Sequence, residues 1–163
     1  MNILVVYYSL TGNTRMIAEE IAASLNSELL ELKPVKELDP ESGMKYFWGG
    51  FQATMRKKPE LEQFEIDPMD YDLLFLGSPV WAWRQSPPML SFVKKYDLSG
   101  KKLALWMCAA GNGVKARERF TKVLKDCNVI ADICFQEPLQ NNPENAKKTA
   151  TEWAINIVRK IQN

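Results

Sequence analysis

Histidine is absent from this chain. With it go the Ser-His and Cys-His catalytic pairs and the commonest metal ligand, so those routes to hydrolysis and those metal centres are excluded at the outset. Cysteine is scarce: Cys108, Cys127 and Cys134 form an odd set without a Cys-x-x-Cys pair. They read as buried free thiols in a reducing compartment. No apolar run approaches bilayer-spanning length, and the first residues are an apolar strand without the basic region of a secretory signal. A charge excess is missing too, since 21 Lys plus Arg face 20 Asp plus Glu. No bulk field then favours nucleic acid or a membrane surface. These absences set the expectation of a cytoplasmic protein that engages neither nucleic acid nor membrane and holds no metal. What is present is ordinary: 163 residues, 46% hydrophobic and 25% charged, suit a single domain over 1–163 with a proper core.

The chain is organised around its first 25 residues. Residues 3–8 (ILVVYY) are an unbroken run rich in β-branched and aromatic side chains, 9–13 break it, and Ile17, Ile21 and Leu25 then recur at helical period. That is strand, tight turn, helix. Such a turn exposes backbone N–H groups at a helix N-terminus, where no intrahelical partner exists and the macrodipole is positive, and so forms a cradle for phosphate. With Gly12 as its only glycine and no lysine, the turn fits neither a Walker A loop nor a dinucleotide fingerprint. Ser9, Leu10, Thr11, Gly12, Asn13 and Thr14 instead offer hydroxyls and an amide, enough to hold a terminal phosphomonoester with neutral donors. The alternative is a helix start capped by Thr11 or Asn13 with no ligand.

Residues 28–32 (ELLEL) follow as a short edge strand. The segment 35–70 is too long for a plain loop. Within it Met44, Phe47, Trp48, Phe51 and Met55 make an amphipathic helical stripe weakened by Gly49 and Gly50. That helix packs on the sheet, or lends its aromatic face to a cofactor or a dimer contact. Arg56, Lys57 and Lys58 precede a run of acids from Glu60 to Asp72, a solvated loop or a partner-docking patch. Residues 73–77 (LLFLG) are a central strand, and 78–88 a loop whose Trp81 and Trp83 can stack on a flat ring. Met89, Phe92, Val93 and Tyr96 mark a helix with Pro87 and Pro88 in its first turn. Residues 103–108 are a fourth strand and 109–113 a small, flexible turn, followed by a helix with Ala116 and Phe120 inward, a fifth strand at 129–135, and a terminal helix around Ala150 to Ile161. Five β-α units predict an α/β, three-layer, doubly wound parallel sheet of order 2-1-3-4-5, with its ligand crevice beyond the C-terminal ends of strands 1 and 3.

Ser9-x-Thr11-Gly12-Asn13-Thr14 resembles the phosphate loop of flavodoxins, residues 77–82 (GSPVWA) resemble that family's Gly-Thr-Pro-x-Trp-Ala/Gly loop, and 110–113 (AGNG) resemble its flavin-edge loop. The resemblance covers essentially the whole chain. It implies FMN as cofactor, with 9–14 on the 5′-phosphate, and Pro79, Val80, Trp81, Ala82 and Trp83 together with Ala110, Gly111, Asn112 and Gly113 on the isoalloxazine. Trp81 is the first choice for the stacking ring. The implied role is a low-potential electron carrier, monomeric or weakly dimeric, working between a reductase and an acceptor protein without catalytic residues of its own. The alternative is an NAD(P)H-dependent FMN/quinone oxidoreductase of the same fold, in which Arg84 or Arg56, Lys57 and Lys58 meet the nicotinamide cofactor's phosphates. A response-regulator receiver shares the fold, but Ser9 and Leu10 stand where its acidic pair is expected. Two departures are visible: flavodoxin carriers are strongly acidic where this chain is nearly neutral, and many place a glycine where this chain has Ala82.

Overall fold

A computed structural model describes residues 1–38, 55 and 57–163. The expected helix through Met44, Phe47, Trp48 and Phe51, and Arg56 beside it, lie outside the described residues. In chain order the elements are β1 (Ile3–Tyr7), α1 (Asn13–Leu25), β2 (Glu28–Glu31), a 3-10 turn (Pro68–Asp70), β3 (Leu73–Trp81), β4 (Arg84–Gln85), α2 (Pro87–Lys95), β5 (Lys102–Ala109), α3 (Val114–Val123), β6 (Asn128–Gln136) and α4 (Pro143–Gln162).

Five strands pair in parallel in the order β2-β1-β3-β5-β6, and β4 pairs antiparallel with the end of β3. The expected 2-1-3-4-5 core is therefore present, with one short hairpin strand added after the third. Side chains alternate across the strands, so each face has its own core. Leu4, Val6, Leu74, Leu76, Leu105 and Met107 meet Met89 and Phe92 of α2 and Ala116 and Phe120 of α3. Val5, Tyr7, Phe75, Ala104 and Trp106 meet Ile17 and Ile21 of α1 and Ala150 and Ala154 of α4. Each such fully buried aliphatic or aromatic side chain contributes about 1.5–3 kcal/mol, and together they fix which strand ends lie side by side. Gly77 in β3 is part of that fit: a Cβ there would stand 1.9 Å from the Trp106 ring of the neighbouring strand.

The acidic run is solvated, as one expectation had it. Glu60, Glu62, Glu65, Asp67, Asp70 and Asp72 are all exposed, while Leu61, Phe64 and Ile66 turn inward onto the first core. Three local readings differ. Residues 78–88 are not a loop: β3 runs on to Trp81, a two-residue turn follows, and α2 starts at Pro87. The cause is Ser78, which is fully buried and accepts the Ser86 N–H at 2.8 Å, closing the hairpin from inside. Of the three thiols only Cys108 is buried. Met55, assigned to an apolar stripe, is exposed. No helix among the described residues is long and apolar enough to cross a membrane.

Candidate cofactor site

Three turns leave the same edge of the sheet, after β1, β3 and β5. Their strands are neighbours: β1 pairs β3 and β3 pairs β5, and the Tyr8 N–H continues the ladder to the Gly77 carbonyl at 3.1 Å.

In the first turn Gly12 takes a left-handed φ of +93° and stands as the residue before α1. No side chain caps the helix. The Ser9 hydroxyl accepts the Gly12 N–H at 3.2 Å, and the Asn13 side-chain oxygen turns away to accept the Leu139 N–H at 3.0 Å. Neither Thr11 nor Asn13 caps the helix, and the first N–H groups of α1 have no intrahelical partner. Thr14 is 1% exposed; its hydroxyl faces the Cys108 thiol, a weak partner, and has no oxygen or nitrogen partner among the described residues. The nearest cation in sequence, Arg15, is engaged with Glu31 at 2.5 Å. The turn is a neutral cradle.

The second turn is the β3–β4 hairpin. Its two central residues, Ala82 (φ 47°) and Trp83 (φ 56°), both lie in the left-handed region. This is the geometry of a type I′ hairpin, normally built from Asn and Gly, and each non-glycine residue there costs about 1–2 kcal/mol. Arg119 of α3 offsets part of the strain by donating to the Trp83 carbonyl at 3.2 Å and the Ala82 carbonyl at 3.5 Å. Trp83 is 64% exposed. Trp81 points elsewhere: its ring meets Tyr8 edge-on, with centroids 5.6 Å apart. The Tyr8 hydroxyl donates to Glu37 at 2.8 Å, and burial raises its pKa well above the usual phenol value.

In the third turn Gly113 precedes α3 at a φ of +66°, and a Cβ there would lie 2.4 Å from the Cys134 sulfur. A side chain there would be strained and would have to displace that sulfur. Asn112 accepts the Val114 N–H at 3.2 Å, and Gln136 donates to the Ala110 carbonyl at 2.9 Å, so this small turn is held rather than loose.

The second and third turns wall one cavity of about 690 Å³. Of the expected ring-binding residues it brings together Val80, Ala82, Trp83, Ala110, Gly111, Asn112 and Gly113, and adds Ala109, Val114, Lys115 and Ala116. Pro79 and Trp81 do not line it, and residues 9–14 form their own turn at the adjoining strand end. Two participants went unseen in the sequence. Arg119 acts across 36 residues and Leu139 across 126, and neither separation leaves a local signal.

A family model described as flavodoxin matches residues 2–157. The chain belongs to the flavodoxin family. Among solved structures, a flavoprotein from Lactobacillus acidophilus in complex with FMN is 25% identical, with a TM-score of 0.72 over 88% of this chain and 99% of that one. A Bacteroides eggerthii protein assigned as a flavoprotein superposes with a TM-score of 0.80 over 96% of this chain and 98% of its own, at 20% identity, which shows the shared fold alone. An NAD(P)H dehydrogenase (quinone) of Archaeoglobus fulgidus is 32% identical over 111 residues, covering 64% of this chain and 53% of that protein.

Proposed function

We propose that this flavodoxin-family chain binds FMN at the three turns and carries electrons between redox partner proteins. FMN is the cofactor. The observation that carries the reading is the uncapped turn of residues 9–14, beside a cavity walled by the next two turns. A phosphate monoester supplies the acceptors this turn lacks, and a flat tricycle suits a volume of about 690 Å³. A structural relative holds FMN on the same fold.

When bound, the flavin supplies one- and two-electron chemistry; the chain binds, orients and tunes it. Residues 9–14 hold the phosphate with backbone N–H groups, hydroxyls and the positive end of α1, without a cation. Val80 and Ala82 face the backbone of residues 110–113 across the cavity and keep water from the ring. Enclosure by such apolar walls disfavours added negative charge and lowers the potential at which the ring accepts it. Trp83, on the cavity wall and largely exposed, marks the edge at which a partner protein meets the ring. The partly exposed, unpaired thiols of Cys127 and Cys134 suit a reducing, cytoplasmic setting.

A second reading is favoured by one observation, the partial likeness to an NAD(P)H dehydrogenase (quinone). Steady-state oxidation of NADPH separates the two. Slow oxidation with a quinone, accelerated by a reductase, is expected of the carrier; fast turnover with no partner protein would overturn it in favour of the enzyme.

A further inference from the structure

A second cavity, of about 560 Å³, opens between β4, α2 and α3 and shares no lining residue with the first. Its character is different. Lys57, Lys58, Lys94, Arg119, Lys122 and Lys125 surround it with Arg84, against the single carboxylate of Asp126. The whole chain is balanced at 21 basic and 20 acidic residues, so this is a local gathering of charge, not a consequence of composition. The five lysines form no ion pair among the described residues. Like charges gathered around a concavity repel one another and focus a positive potential into it, a cost that a bound polyanion removes.

One further observation narrows the anion: the walls include Pro87, Leu90 and Val123, apolar surface of no use to a bare ion. A volume of about 560 Å³ exceeds what inorganic phosphate or pyrophosphate fills. We propose that this cavity binds a nucleotide bearing a diphosphate: the phosphates among Lys94, Arg119, Lys122 and Lys125, and the base on the Leu90 and Val123 surface. Arg119 joins this site to the cofactor site, because the same guanidinium holds the carbonyls of the hairpin turn.

The proposal uses none of residues 9–14, 79–83 or 110–113, so it stands or falls apart from the FMN reading. The test is calorimetric titration of ADP, and separately of pyrophosphate, into the FMN-loaded full chain. ADP is expected to bind once per chain and at least about tenfold more tightly than pyrophosphate. Lys122 and Lys125 are exposed, so the K122E/K125E double variant is expected to fold, keep its FMN and lose about tenfold or more in ADP affinity. The proposal is overturned by absence of heat with ADP, by pyrophosphate binding as tightly as ADP, or by unchanged affinity in the double variant. It is equally overturned if polyglutamate binds in place of ADP, since the surface would then serve an acidic protein. Loss of FMN binding with ADP heat retained would count against the cofactor site alone.

Discussion

The turn after β1 and the hairpin after β3 leave adjacent strands at the same edge of the sheet, yet they are built by opposite means. The first is made by its own residues: a glycine in the left-handed region, a hydroxyl accepting a backbone N–H three residues on, and an uncapped helix start. The second is made against local preference. Ala82 and Trp83 occupy conformations that glycine and asparagine favour, and they are held there by Ser78 from within and Arg119 from another element. Under the proposed function the first turn serves a ligand, its helix start left open for one. The second is specialised for position, aiming a large ring at the rim of a cavity. Strain at such a position is sustained only where the surroundings over-determine it.

Substitutions sharpen that contrast. Thr14→Val should have the largest effect on binding and little on stability. Removing a hydroxyl bonded to a charged phosphate costs about 1.5–3 kcal/mol of FMN affinity, while the apo protein loses only a weak contact with the Cys108 thiol. Fluorescence titration and a melting curve of the same sample read both, and equal loss in each would deny the turn its ligand role. Ser78→Ala, by contrast, should cost about 1–3 kcal/mol of stability in chemical denaturation, because the buried Ser86 N–H loses its acceptor. A neutral result would mean that the hairpin is not held from within.

Between the turns sits Cys108, which pairs with Pro79 across the β3–β5 ladder. Burial pushes its thiol from 9.0 up to about 12. The raised value means that the native state keeps a proton the unfolded chain releases, so this contribution is whole below pH 9 and is lost as pH rises toward about 12. Melting temperatures measured across that range should fall less steeply in Cys108→Ala, although that variant starts lower for lack of packing. Parallel slopes would refute the assignment.

Smaller effects are expected from the strain itself. Arg119→Ala should loosen the hairpin by about 1 kcal/mol, the worth of its hydrogen bonds, with more rapid amide exchange around residues 82–85. Ala82→Gly should stabilise by up to about 1 kcal/mol, relief of the left-handed penalty being partly offset by glycine's entropy in the unfolded chain. A destabilised glycine variant would show that the conformation is not strained.

The same contrast explains what could be read in the sequence. Residues 3–25 announced strand, turn and helix because each signal, from β-branched run to helical period, is local. The parallel core followed from the alternation of units, and a flavodoxin-like three-layer sheet is what forms. The hairpin was illegible: nothing in Ala82 or Trp83 signals a type I′ turn, and the forces that impose it come from Ser78 within and from Arg119 on another element. Trp81, the first choice for the stacking ring, packs edge-on against Tyr8, while Trp83 lines the cavity. The burial of Cys127 and Cys134 was overread for a similar reason, since an apolar spacing along β6 or after α3 does not say which strand is at the sheet's edge.

One comparison of ligands bears most directly on the phosphate cradle: the affinity of the apo protein for FMN against that for riboflavin, which differs only in lacking the phosphate. Several neutral hydrogen bonds to a charged group, each worth about 1.5–3 kcal/mol, should favour FMN by about a hundredfold or more. Equal affinities would contradict the assignment of residues 9–14 and leave the rest of the site without its anchor.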